Sequence, residues 1–131
     1  MTVTYGWRAD FDNAALDTLH AQGFGYAAQG IDWRGRLERR SLGWVCAYRD
    51  EVLVGFVNVV GDGGAHAILL DTVVASQARG LGVGTALVAA AVAGAKAAGC
   101  QWLHVDYEPR LAPFYLDACG FQPTTAGLIA L

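Results

Sequence analysis

Residues 80–95 carry no charged side chain, and their opening, Gly80-Leu81-Gly82-Val83-Gly84-Thr85, sets glycine at alternate positions ahead of an alanine-rich run. A bilayer span takes about 20 mostly apolar residues, so this stretch is too short, and it is rich in alanine and glycine rather than leucine. It fits a glycine-rich turn that opens a packed helix, with an apolar stripe at Leu81, Val88, Val92 and Ala95 and a stop at Gly99. Residues 66–74 just before it are β-rich, so the segment runs strand, turn, helix. A helix start presents unpaired amides and the positive end of a dipole, and glycines let a bulky anion approach that backbone. Two readings of the turn follow, a phosphate cradle or a turn that only packs helix against strand. Its G-x-G-x-G spacing meets neither the dinucleotide fingerprint G-x-G-x-x-G nor the P-loop pattern G-x-x-x-x-G-K-[ST].

The remaining chain points to one domain over residues 1–131. With 54% hydrophobic and 16% charged residues, it is too apolar for a disordered chain. A strand over 3–7 leads to Asp12, an N-cap for a helix over 13–22 that Gly23 would stop. Residues 22–30 mix glycines with aromatics and suit a pocket-lining loop. Asp32 caps a second helix over 33–41, and 44–48 with 52–60 form a hairpin. A strand over 101–107, a helix over 111–118 and a last strand over 126–131 complete the order β-α-α-β-β-β-α-β-α-β, an α/β (α+β) domain.

Nine basic against twelve acidic residues give a charge of −3, so no long-range attraction draws this chain to nucleic acid or an anionic membrane. Arg34, Arg36, Arg39 and Arg40 concentrate four of those basic residues on the second helix, where a solvated face at its C-terminal end is expected rather than an anion patch. Cys46, Cys100 and Cys119 are odd in number and widely spaced, with no CxxC pair, which suggests neither a disulfide framework nor a metal site. Residues 1–10 lack a basic segment followed by an apolar run, so a cytoplasmic location is expected.

Gln77-Ala78-Arg79-Gly80-Leu81-Gly82 matches the pattern Q/R-x-x-G-x-G/A, and Phe114-Tyr115 followed by Gly120-Phe121 matches an F-Y…G-F block near the C-terminus. With the hairpin residues Trp44-Val45-Cys46-Ala47 and Val54-Gly55-Phe56, these motifs make most of the chain resemble the GNAT N-acetyltransferase superfamily. The resemblance implies a mixed, mostly antiparallel sheet flanked by helices, with its fourth and fifth strands splayed. It implies acetyl-CoA as cofactor and direct acetyl transfer to a primary amine of a small molecule or peptide. The diphosphate would sit on the amides of Arg79, Gly80, Leu81, Gly82, Val83, Gly84 and Thr85, with Gln77 opening the motif. The pantetheine arm would lie along Val73, Val74 and Ala75, where its amides can bond an exposed strand edge as a peptide does. Val74 is the implied oxyanion donor and Tyr115 the implied acid, a phenol of pKa about 10 that holds its proton at neutral pH.

Other roles rest on the residues themselves. Asp71, on the strand leading to the cradle, is either a base for the amine or a hydrogen-bonded strand-end aspartate; His66 and His104 stand in reserve as bases. Phe24, Tyr26, Trp33, Tyr107 and Glu108 would form an aromatic acceptor pocket with one acid, or else belong in part to the core. Pro109 stands where the family often has asparagine, which removes a side chain that commonly helps hold the cofactor. Without an obvious base, a noncatalytic acyl-CoA-binding or regulatory domain is the alternative to an enzyme. The short C-terminal strand suggests completion by a second subunit, a homodimer.

Overall fold

Trp44, Val45, Cys46 and Ala47 are consecutive and all buried, the mark of a strand covered on both faces. In the computed structural model, which describes residues 2–131, they lie in β2 (Gly43–Arg49). This strand pairs antiparallel with β1 (Thr4–Trp7) and with β3 (Val52–Gly61). β4 (His66–Val74) adds antiparallel to β3 and β5 (Trp102–Val105) adds parallel to β4, giving the order β1-β2-β3-β4-β5. The one parallel step needs a crossover, supplied by the helix Val83–Ala97, here α3.

Successive strand residues point to opposite faces, so Gly55 and Phe56 show how the sheet is covered. Gly55 abuts Leu87 and Val83 of α3, while the Phe56 ring meets Trp33 with centroids 6.0 Å apart. Trp33 opens α2 (Trp33–Arg40), which lies beside α1 (Asn13–Phe24) on the face away from α3. Both helices carry the expected caps, Asp12 accepting from the Ala15 amide and Asp32 from the Gly35 amide. The loop between them is tied to the buried Asp17 carboxylate by the amides of Gln29 (3.1 Å) and Gly30 (2.8 Å) and the Trp33 indole (3.3 Å).

Four expectations need correction. α1 runs on to Phe24, with Gly23 inside it against Val73, and the left-handed stop is Gly25 (φ 76°). The buried stripe of α3 is Val83, Leu87, Val88, Ala91 and Ala95, while Leu81 and Val92 are exposed, because the helix starts two residues beyond Leu81. The helix expected over 111–118 is a 3-10 turn (Pro109–Leu111) followed by a wide π-helical turn (Pro113–Ala118). Pro113 contributes no amide there, and the Cys119 amide reaches back five residues to the Phe114 carbonyl. Finally, residues 126–131 form no strand, and Leu128 and Ile129 stand exposed. Pro123 lacks the amide a ladder needs, and Gly127 splits what little apolar run remains.

Trp7 shows how closely α3 sits on the sheet. A Cβ on Gly94 would fall 2.3 Å from the Trp7 ring, and one on Gly43 would fall 2.1 Å from it on β2. The ring is met by α3 and by β2 at once. Glycine to alanine in a helix interior ordinarily stabilises by about 0.5–1 kcal/mol. Here overpacking reverses the sign, and Gly94→Ala is expected to cost about 1–3 kcal/mol in urea unfolding, with an unchanged slope.

Candidate active site

The pairing of β4 with β5 ends at Leu69↔Val105, yet β4 continues to Val74. Residues 70–74 therefore lack a partner on that side, and this is the splay expected of the fourth and fifth strands. The chain then passes through a 3-10 turn (Ser76–Ala78) into the glycine-rich turn. Gly80 (φ 78°) and Gly82 (φ 76°) are left-handed, a conformation costly for most side chains, and a Cβ on either would meet no protein atom within 4 Å. Gly84 is different: a Cβ there would press on the Phe114 ring at 3.2 Å, so this glycine serves packing. The first helical bond of α3 runs from the Ala86 amide to the Gly82 carbonyl, and no side chain caps the helix. The amides of Val83, Gly84 and Thr85 are thus left without helical partners.

These amides border a cavity of about 200 Å³ lined by Val74, Ala78, Arg79, Gly80, Gly82, Val83, Gly84, Thr85 and Phe114. Unpaired donors, a positive dipole end and a basic Arg79 fit a diphosphate. Gln77 and Leu81 are exposed and outside that lining, and the buried Val73 side chain packs on Gly23 instead.

Asp71 lies where β4 bulges. Asn58 pairs with Leu70 and Phe56 with Val73, so Asp71 and Thr72 together oppose Val57. At φ 61° Asp71 is left-handed, which aspartate tolerates better than most residues. Its carboxylate accepts from Asn58 Nδ2 (3.1 Å) and contacts His20 Nε2 (2.9 Å). Burial pushes this carboxyl up, but the bonds from His20 and Asn58 and the charges of His20 and Arg36 outweigh it, holding the group below the usual range. On the other side of the imidazole, His20 Nδ1 meets the Tyr26 hydroxyl at 2.5 Å. Burial, then the charges of Asp17 and Asp71, raise the Tyr26 pKa, so its hydroxyl keeps its proton. Asn58, Asp71, His20 and Tyr26 form one hydrogen-bonded chain.

His20 and Asn58 are absent from the sequence reading. The signal was there for His20, which lies four residues after the buried Leu16 and so shares its helix face. Asn58 gave none, since an asparagine inside a β-rich run declares a partner only once the strands are aligned.

The expected acceptor pocket does not form as one unit. Phe24, Tyr26 and Trp33 surround the His20 ring, with centroids 4.4, 5.6 and 4.7 Å away, and Trp33 is core. Tyr107 stacks on Tyr115 instead (5.4 Å), and Glu108 is exposed and paired with Arg110 (2.8 Å).

Tyr115 is 7% exposed, its ring enclosed by Tyr107, Phe114 and Phe121. Its hydroxyl has no hydrogen-bond partner among the described residues, and no buried side-chain polar atom lacks one, so the hydroxyl itself reaches the surface. His66 and His104 contact each other (2.8 Å) at the start of β4, roughly 25 Å of strand away from Val74. Burial, with Asp10 nearby, pushes the Cys46 thiol up to about 12, which leaves it inert as a nucleophile.

A five-stranded sheet opened at one edge, with an uncapped helix start at the mouth of the opening, defines an α/β domain suited to a phosphate-bearing ligand with an extended arm. Residues 7–121 match the Acetyltransferase (GNAT) family, and the chain belongs to it. No curated protein matches it in sequence. Among solved structures, an acetyltransferase of Trypanosoma brucei is similar at 18% identity and TM-score 0.81, covering 98% of this chain and 99% of that one. A ribosomal-protein-alanine N-acetyltransferase from Brucella melitensis shares 18% identity, with TM-score 0.78 and full coverage of both chains. An aminoglycoside N-acetyltransferase in complex with CoA shares 20%, with TM-score 0.76, covering 99% of this chain and 94% of that one. At these identities the likeness is one of fold. No helix among the described residues is long and apolar enough to cross a membrane.

Proposed function

We propose that the protein is an N-acetyltransferase that passes the acetyl group of acetyl-CoA directly to the primary amine of a small molecule or peptide. The observation that carries this reading is the open edge of β4 running into unpaired amides and two left-handed glycines. Acetyl-CoA would supply a thioester already activated toward amines. The amides of Val83, Gly84 and Thr85, with Arg79, would hold its diphosphate, and residues 73–75 its pantetheine arm. The Val74 amide would donate to the developing oxyanion.

The chain Tyr26–His20–Asp71 supports a route for the amine's proton. The Tyr26 oxygen takes that proton as its own passes to His20 Nδ1, and the Asp71 carboxylate stabilises the imidazolium formed. Tyr115, ring buried and hydroxyl open, would return a proton to the departing thiolate. This chain supplies the base whose apparent lack favoured a noncatalytic acyl-CoA-binding domain. Three free cysteines suit a reducing cytoplasm. The exposed Leu128 and Ile129 would be covered in a homodimer.

Thiol release across an amine panel tests the reading. Tyr115→Phe is expected to lower turnover at least about tenfold while cofactor affinity is kept. Acetyl-CoA at a hundred times its dissociation constant should stabilise the fold by about 2.7 kcal/mol, raising Tm by roughly 10 °C. Unchanged turnover removes Tyr115 from the mechanism, and an unmoved Tm removes the cofactor.

A further inference from the structure

Arg36, Arg39 and Arg40 are exposed, as the sequence suggested, and they also line a groove of about 760 Å³ together with Ser41, Asn58 and Asp71. Their spacing of three and four places them on one face of α2, while Trp33 and Leu37 enter the core. Arg36 is steadied over the Trp33 ring, 4.9 Å from its centroid.

Three guanidiniums meet two carboxylates, Asp32 and Asp71, in this lining, so the groove keeps a net positive charge although Arg39 acts on Asp32 and Arg36 on Asp71 through space. Asp32, also in its lining, is occupied by the Gly35 amide (3.1 Å) and the Asn13 side chain (3.0 Å). Asp71 is occupied by His20 and Asn58. Among the described residues, none of the three guanidiniums has an acidic partner within 4.0 Å. Arg34, on another side of the same helix, is paired, with Asp10 at 2.7 Å. The negative end of the helix dipole explains why Arg39 and Arg40 are tolerated in the last turn. It does not explain why all three cations converge on the groove that Asp71 enters.

Resting on the acetyl-transfer reading, we propose that the acceptor is an amine carrying an oxyanion, a phosphate or a carboxylate, held by Arg36, Arg39 and Arg40 while its amine lies toward the end of the groove where Asp71 joins His20 and Tyr26. A guanidinium donates two parallel bonds to either kind of oxyanion.

The test measures thiol release with matched amines, 2-aminoethyl phosphate against 2-aminoethanol and β-alanine against its amide. It uses the wild type and Arg39→Gln/Arg40→Gln, in which both replaced side chains are exposed. The oxyanion member of at least one pair should show kcat/KM at least about tenfold above its neutral partner. The double variant should shrink that ratio at least about fivefold; which pair responds tells phosphate from carboxylate. Equal rates within both pairs, or a ratio the variant leaves intact, overturns the proposal. If no amine is turned over, inorganic phosphate is titrated in the presence of saturating CoA. A Tm rise in the wild type that the variant lacks then upholds the anion site while the transfer reading falls. No rise in either, or an equal rise in both, overturns the anion site too.

Discussion

Gly82→Asp is expected to raise the dissociation constant for acetyl-CoA by about a hundredfold, and Gly82→Asn by far less. Both residues accept the left-handed backbone of Gly82 (φ 76°, ψ 13°) better than other side chains do, and a Cβ there meets no protein atom within 4 Å. The two variants therefore share shape and backbone cost and differ in one charge. A carboxylate roughly 5 Å from a diphosphate, at an effective dielectric constant of about 40, opposes it by about 3 kcal/mol. The same carboxylate at a helix N-terminus favours the helix, so lost affinity would not reflect unfolding. Isothermal titration calorimetry on the two variants decides it. Equal affinities for the aspartate variant and the wild type would mean that the diphosphate lies elsewhere.

His20→Ala and Asp71→Asn should each lower kcat about a hundredfold, with the KM for acetyl-CoA nearly unchanged. The double variant should be little worse than either single one, because the groups act as a unit. Asp71 is held ionised by the bonds from His20 and Asn58, which makes it a poor proton acceptor alone and a good stabiliser of an imidazolium. Removing His20 takes away the acceptor; neutralising Asp71 takes away what stabilises it. Steady-state kinetics with one acceptor at saturation measures both. Full activity in the two single variants would break the proton route through Tyr26.

Much of this site could be read from local patterns. The helix start at the glycine turn follows from backbone rules that act over a few residues, and so do the caps at Asp12 and Asp32. Asp71 could be placed near the cradle because it precedes Val74 by three residues on one strand. The errors share a different cause. Leu81 was counted into a stripe because periodicity does not show where left-handed glycines delay a helix. Residues 126–131 have a strand's composition in part, but a strand also needs an edge to bond, and the tail bonds none.

The sequence by itself determined the order of the first eight elements, the glycine turn that presents free amides, and the family to which the chain belongs. Each depends on neighbours within a few positions, where propensity and capping act. Only the tertiary structure decided which distant side chains meet. It joined His20 to Asp71 across a helix and a strand, stacked Tyr107 on Tyr115, and set three arginines along one groove. Those outcomes depend on the bulge in β4, the splay from β5 and the seat of α2 on the sheet, where packing of the whole core fixes geometry that no local pattern encodes.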